Sequence, residues 1–160
     1  MGLDMYLEAR KYVRKVDYSS TEPETTEEYK TLLSFFPPAV DEFNDFAGAE
    51  VQVTIGYWRK ANQVHNWFVT KCAGGVDECQ PIRVDSEQLA VLRGLCQAIL
   101  DAPEAERTSK ANELLPTTAG FFFGSTEVDE WYFEDLRRTV AILDKAIALD
   151  DVSLIYQASW

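Results

Sequence analysis

The stretch EVQVTIGYWRKANQVHNWFVTKC, Glu50 to Cys72, changes its periodicity part-way along. From Glu50 to Tyr57 the residues alternate. Val51, Val53, Ile55 and Tyr57 share one face, and Gln52, Thr54 and Gly56 the other, which is the pattern of a half-buried strand. From Tyr57 the spacing predicts a helix to Cys72, broken by Ala73-Gly74-Gly75. A strand running straight into a helix sets the expectation for the whole chain: an α+β fold with a mostly antiparallel sheet of about five strands, helices packed on it, and one compact domain over residues 1–160.

The flanking sequence supplies the other elements. Leu3 to Val13 reads as a strand rich in Tyr, Val and Leu. Thr25-x-x-Glu28 reads as a capping box that opens a helix to about Phe35, ended by Pro37-Pro38, and a short helix is expected over Ala39 to Phe46. Gln80 to Val84 is a brief strand. Asp85 caps a helix over Ser86 to Asp101, with Leu89, Leu92, Cys96, Ile99 and Leu100 at helical spacing. Pro103 starts a helix that stops before Pro116. Gly120-Phe-Phe-Phe-Gly124 reads as a short apolar strand. Thr126 is expected to open the last long helix, to about Leu149, with a stripe of Val128, Tyr132, Leu136, Val140, Leu143 and Ile147. Val152 to Ala158 closes the chain as a strand.

Composition narrows the function classes. The 160 residues carry a net charge of −12, from 27 acidic and 15 basic side chains. Nucleic-acid binders need a basic patch, so direct nucleic-acid contact is not expected. No apolar run is long enough for a membrane span, and the N-terminus does not read as a signal peptide. Gly2 is followed by Tyr6 where a myristoylation motif wants Ser or Thr. Three cysteines, Cys72, Cys79 and Cys96, do not make a disulfide framework. A reduced cytoplasmic location follows as the expectation, with no cofactor. The spacing of Cys72 and Cys79 with His65 matches no usual zinc pattern.

On a helical wheel, Ala61, Val64, Phe68 and Cys72 form a core stripe, with Trp58, His65 and Val69 beside them. Arg59, Asn62 and Asn66 line a second face. Trp67 falls opposite the core, beside Lys60, Gln63 and Lys71, and needs a cover: either the chain's own loops, such as the Pro37-Pro38 segment, or a partner. Arg59, Lys60 and Lys71 make this the most basic stretch of an acidic chain and suit a phosphate-bearing small molecule. The Gly124-Ser125-Thr126 turn resembles the start of an anion-binding helix, although Glu127, Asp129 and Glu130 oppose an anion there. Trp131 points off its own helix's stripe.

The segments MGLDMYL, YWRKANQVHNWFV, LLPTTAGFFFGSTEVDEWY and YQASW resemble a family of small phage and prophage proteins. The resemblance covers nearly the whole chain. It implies a phage accessory protein in the host bacterial cytoplasm, one that binds a host protein or a small molecule rather than catalysing a reaction. Homo-oligomers remain open. The residues it marks as candidates are Trp58, Arg59, Lys60, Asn62, His65, Asn66 and Trp67, with Gly124, Ser125, Thr126, Asp129, Trp131 and Tyr132. Two alternatives accompany this expectation. One is a small enzyme acting on a phosphorylated molecule, with His65 as acid or base. The other is a structural subunit of a larger assembly.

Overall fold

The computed structural model describes residues 2–19, 21–22, 24–36 and 48–160. The expected short helix over Ala39 to Phe46, and the Pro37-Pro38 segment, lie outside the described residues. Among those described, the strands are β1 (Asp4–Arg14), β2 (Val16–Asp17), β3 (Glu24–Thr25), β4 (Gly48–Arg59), β5 (Ile82–Val84) and β6 (Ser153–Ser159). The helices are α1 (Glu27–Leu33), α2 (Asn62–Cys72), α3 (Ser86–Leu100), α4 (Glu104–Leu114) and α5 (Glu130–Ile147). The fold is α+β, with a four-stranded antiparallel sheet in the order β4-β1-β6-β5 and a two-stranded sheet, β2-β3.

The chain forms two compact units, Met1–Ala9 with Val53–Trp160, and Arg10–Gln52. In the smaller unit, Val16 pairs with Thr25 and Asp17 with Glu24. Thr26, not Thr25, caps α1: its hydroxyl accepts from the Tyr29 amide at 3.3 Å and donates to the Arg14 carbonyl at 2.8 Å. The second contact fixes the cap. Only the residue whose hydroxyl also meets the incoming strand can serve both ends.

In the larger unit, β5 and β6 pair antiparallel from Ile82–Tyr156 to Val84–Leu154. The helices α3 and α5 pack along one another, α4 packs on α3, and α2 lies against β5. Asp85 caps α3 through a complete capping box with Gln88. Leu3, Met5 and Leu7 of the first segment, Leu89, Leu92, Cys96 and Ile99 of α3, and Leu136 and Leu143 of α5 are all fully enclosed. Burial pushes the Cys96 thiol up to about 12, so this cysteine behaves as a small apolar group.

The face of β4 differs from the expected one. Gly56 and Trp58 are buried, while Ile55 and Tyr57 are only half-buried and Val53 is exposed. The apolar alternation favours the Val51–Tyr57 face, but at the end of the strand the large Trp58 ring outweighs it and turns its own face inward. Its indole Nε1–H donates to the Thr139 hydroxyl of α5 at 2.8 Å, and that hydroxyl donates to the Asp135 carbonyl at 2.7 Å. Gly56 lets α5 approach closely: a Cβ there would stand 2.5 Å from Cγ2 of Ile142 and 3.3 Å from Cβ of Leu7.

The helix α2 starts five residues later than the wheel assumed. Trp58 and Arg59 finish β4, and Lys60 turns the chain with φ 62°. Seven of the eleven residues of α2 are buried, Trp67 among them, so no polar face exists for Trp67 to occupy. Its ring meets Phe68 edge-on at 5.3 Å, and Phe68 stacks on Tyr156 of β6 at 3.9 Å. No helix among the described residues is long and apolar enough to cross a membrane.

Gly56→Ala should destabilise the protein by about 1–3 kcal/mol, because the added methyl overpacks the β4–α5 contact. Urea unfolding should show a lower midpoint with an unchanged slope.

Candidate functional site

The Gly120–Gly124 run is a turn, not a strand, and it belongs to a loop over 117–126 that joins α4 to α5. Three close aromatics flanked by glycines carry strand propensity, but the run joins neither sheet. The loop is held by hydrogen bonds instead. The buried Asn62 amide donates to the carbonyls of Phe123 at 3.1 Å and Ser125 at 2.8 Å, and its oxygen accepts from the Thr118 amide at 3.0 Å. Leu3 adds two main-chain bonds, donating to the Phe122 carbonyl at 3.1 Å and accepting from the Lys60 amide at 2.8 Å. Asn62 therefore acts as a structural clasp.

The last helix opens later than expected, at Glu130. Its cap is Asp129, whose carboxylate accepts from the Tyr132 amide at 3.1 Å. Thr126 is exposed, and its carbonyl accepts from the Thr117 hydroxyl at 2.8 Å. Both Thr126 and Asp129 are competent caps by type. The geometry selects Asp129 because residues before it are tied into the loop.

A cleft of about 320 Å³ opens on one side of the loop. It brings together most of the two motifs. Arg59, Lys60 and Gln63 come from the end of β4 and the start of α2; Gly124, Ser125 and Glu127 come from the segment before α5, with Asp129, Trp131, Tyr132 and Asp135 from its cap and first turns. Lys60 adopts a left-handed backbone conformation that few side chains other than glycine favour, and its stem lies against Gly124, itself at φ 88°. Arg59 pairs with the Asp4 carboxylate at 3.9 Å. The Trp131 ring is 79% exposed at the rim. Tyr132 is buried and its hydroxyl donates to the Leu115 carbonyl at 2.8 Å, so it supports the wall rather than serving a ligand.

Sequence reading missed Asp135. Burial holds its carboxyl up to about 6, against the lowering effects of a hydrogen bond from Gln63 and the nearby Arg138 guanidinium. The Gln63 contact is 3.5 Å, a weak bond that leaves the carboxyl available to the cleft. Nothing local marks this residue. It lies nearly two turns from the Asp129 cap and owes its environment to Gln63, 72 positions earlier.

On the other side of the loop lies a second cleft, of about 430 Å³, lined by His65, Asn66, Val69 and Asp77, by 118–123, and by Trp160. His65 is enclosed and both ring nitrogens are engaged: Nδ1 with the Tyr156 hydroxyl at 2.7 Å and Nε2 with Asp77 at 3.1 Å. With Asp77 ionised, Nε2 carries the proton and Nδ1 accepts from Tyr156. Tyr156 is fully buried and burial raises its pKa well above the usual range, so the relay ends inside the core. A substrate proton reaches His65 only by displacing one of these partners. Among the described residues no group of three metal-ligating side chains assembles, and Cys72 does not join His65.

The candidate residues thus divide. Arg59, Lys60, Gly124, Ser125, Asp129, Trp131 and Tyr132 meet in the first cleft, His65 and Asn66 line the second, and Trp58, Asn62 and Trp67 are interior. The expected line of Arg59, Asn62 and Asn66 does not form, since Arg59 is on β4 and Asn62 points into the loop. No protein-family model, curated protein or solved structure matches the chain.

Two outcomes follow from this geometry. Asn62→Asp keeps the acceptor for Thr118 but sets carboxylate oxygens against two carbonyls. It should destabilise the protein by about 2–4 kcal/mol, each buried group left unpaired contributing about 1–3 kcal/mol, and thermal unfolding reads this directly. Asp135 is protonated in the fold below about 6 and in the unfolded chain only below its ordinary value of 3.8. Its protonated form therefore contributes stability that is full below that lower value and is lost as pH rises through about 6. Asp135→Asn should accordingly raise Tm at pH ~7, by the equivalent of about 1–2 kcal/mol, and leave it unchanged near pH ~3.5.

Proposed function

We propose that the chain is a non-catalytic binding protein that captures a small molecule in the cleft beneath Trp131. In the phage setting that its sequence resembles, this capture modulates a host process. The observation that carries the reading is the mixed charge of the lining. Arg59 and Lys60 share the cleft with Glu127, Asp129 and Asp135, and an exposed indole lines it too.

Such a lining selects a ligand that carries both kinds of group. A free phosphate meets three carboxyls and gains little. A molecule with an acidic group, carboxylate or phosphate, and with amine or hydroxyl donors satisfies cations and carboxyls alike through charge-assisted hydrogen bonds. The Trp131 face adds stacking for a flat portion of the ligand. The left-handed turn at Lys60 supports the same reading, because strained backbone persists where the surrounding structure over-determines it. The exposed indole also suits a host-protein partner, for which tryptophan and arginine are common anchors.

Calorimetric titration of sugar phosphates, amino acids and nucleotides against the wild type, Trp131→Ala and the double variant Arg59→Ala/Lys60→Ala tests the proposal. At least one compound bearing both an acid and donors should bind, with affinity falling tenfold or more in each variant and falling with salt. If none of the three classes binds, or the variants bind as the wild type does, small-molecule capture is wrong. A host protein retained by the wild type and lost with Trp131→Ala would then take its place.

A further inference from the structure

The second cleft carries a different chemistry. Its floor holds the His65–Asp77 pair, and its sides are aromatic. Phe121 is 95% exposed, an unusual state for a phenylalanine on a loop clasped by buried hydrogen bonds. It meets Phe122 edge-on at 4.7 Å, while Phe123 stands edge-on both to His65 at 5.1 Å and to Trp160 at 6.2 Å. The rings are thus braced against one another before any ligand arrives, and preformed aromatic faces lose little freedom on binding.

The polar groups are few and specific. The Asn66 side-chain amide has no hydrogen-bond partner among the described residues, although the main-chain carbonyl of Asn66 accepts from the Thr70 hydroxyl. Asp77 is fixed by two donors, His65 Nε2 at 3.1 Å and the Trp160 indole at 3.2 Å, and each oxygen keeps a lone pair for a further donor. Among the described residues no lysine or arginine lines this cleft. An anion would therefore find a carboxylate and no cation. An uncharged ligand with a flat ring, a donor for Asp77 and a paired donor and acceptor for Asn66 would find everything it needs. A paired amide edge against a ring nitrogen and an exocyclic amine is how Asn reads adenine, and aromatic side chains are the usual platforms for such rings.

We propose that this cleft binds an uncharged, planar nitrogen heterocycle of the nucleobase type, stacked on Phe121 and read by Asn66 and Asp77. The volume of about 430 Å³ suits a nucleoside-sized molecule. The net charge of −12 disfavours the same base within a nucleic-acid strand. This site does not depend on the cleft beneath Trp131, since neither shares a lining residue with the other.

The test is titration of the full chain with adenosine, guanosine, cytidine and uridine, and with their monophosphates, at millimolar concentration. Calorimetry gives affinity, and the Trp160 indole N–H resonance, assigned with Trp160→Phe, reports on Asp77. At least one nucleoside should bind and shift that resonance. Phe121→Ala and Asn66→Leu should each weaken it about tenfold or more, whereas Arg59→Ala/Lys60→Ala should leave it unchanged. Phe121 is solvent-exposed, so its loss leaves the fold intact, and unchanged Tm confirms this. At the Trp160 resonance the monophosphates should act no more strongly than the nucleosides. Absence of binding by all four nucleosides overturns the proposal. So does binding that survives both Phe121→Ala and Asn66→Leu, or a monophosphate preference abolished by Arg59→Ala/Lys60→Ala, which would assign the ligand to the other cleft.

Discussion

The Asn62 amide is the contact on which both clefts rest. It is buried, and it spends both donors and its acceptor on main-chain groups of the 117–126 loop. A buried side chain that satisfies three backbone groups at once is strongly directional, because every alternative placement leaves a polar group dry. The loop accordingly has one position. Gly124 packs on the Lys60 stem on one side, and Phe123 on His65 on the other. Without the clasp, the walls contributed by the loop have no fixed relation to α2, and neither concavity persists.

The two clefts divide their chemistry cleanly. Charge is concentrated beneath Trp131, where Arg59, Lys60, Glu127, Asp129 and Asp135 meet, and aromatic surface is concentrated around Asp77. Their separation follows from one chemical alternation in the loop itself. Gly120 to Phe123 offers rings to one side, while Gly124, Ser125 and Glu127 offer small and polar groups to the other. Between them, the polar interior residues Asn62 and His65 are fully engaged, which keeps a polar helix start buried.

Much of the fold could be read from local pattern. The Asp85 cap, the helix to Leu100, the first and last strands and the break at Gly74-Gly75 all rest on residues whose preference is decided within a few positions. The candidate site was legible as two motifs but not as two clefts. A helical wheel assigns one buried face, and α2 has cover on several sides. The left-handed turn at Lys60 is not announced by its residue type, so the helix start was placed early and Arg59 with it. Asp135 and Asp77 gain their roles only from partners far along the chain, Gln63 and Trp160. Such pairings leave no trace in periodicity.

The strand order β4-β1-β6-β5 sets the first and last strands of the chain side by side at the centre of the sheet. During synthesis from the N-terminus, β1 and β4 emerge early, but β5 has no neighbour until β6 follows it. The sheet therefore stays open until the final strand leaves the ribosome, and pairings this distant in sequence form slowly. Tyr156 and Trp160 arrive in the same last stretch, and they carry the hydrogen bonds to His65 and Asp77. A nascent chain halted before this point lacks the aromatic cleft altogether, so the cleft forms only after Tyr156 and Trp160 have emerged.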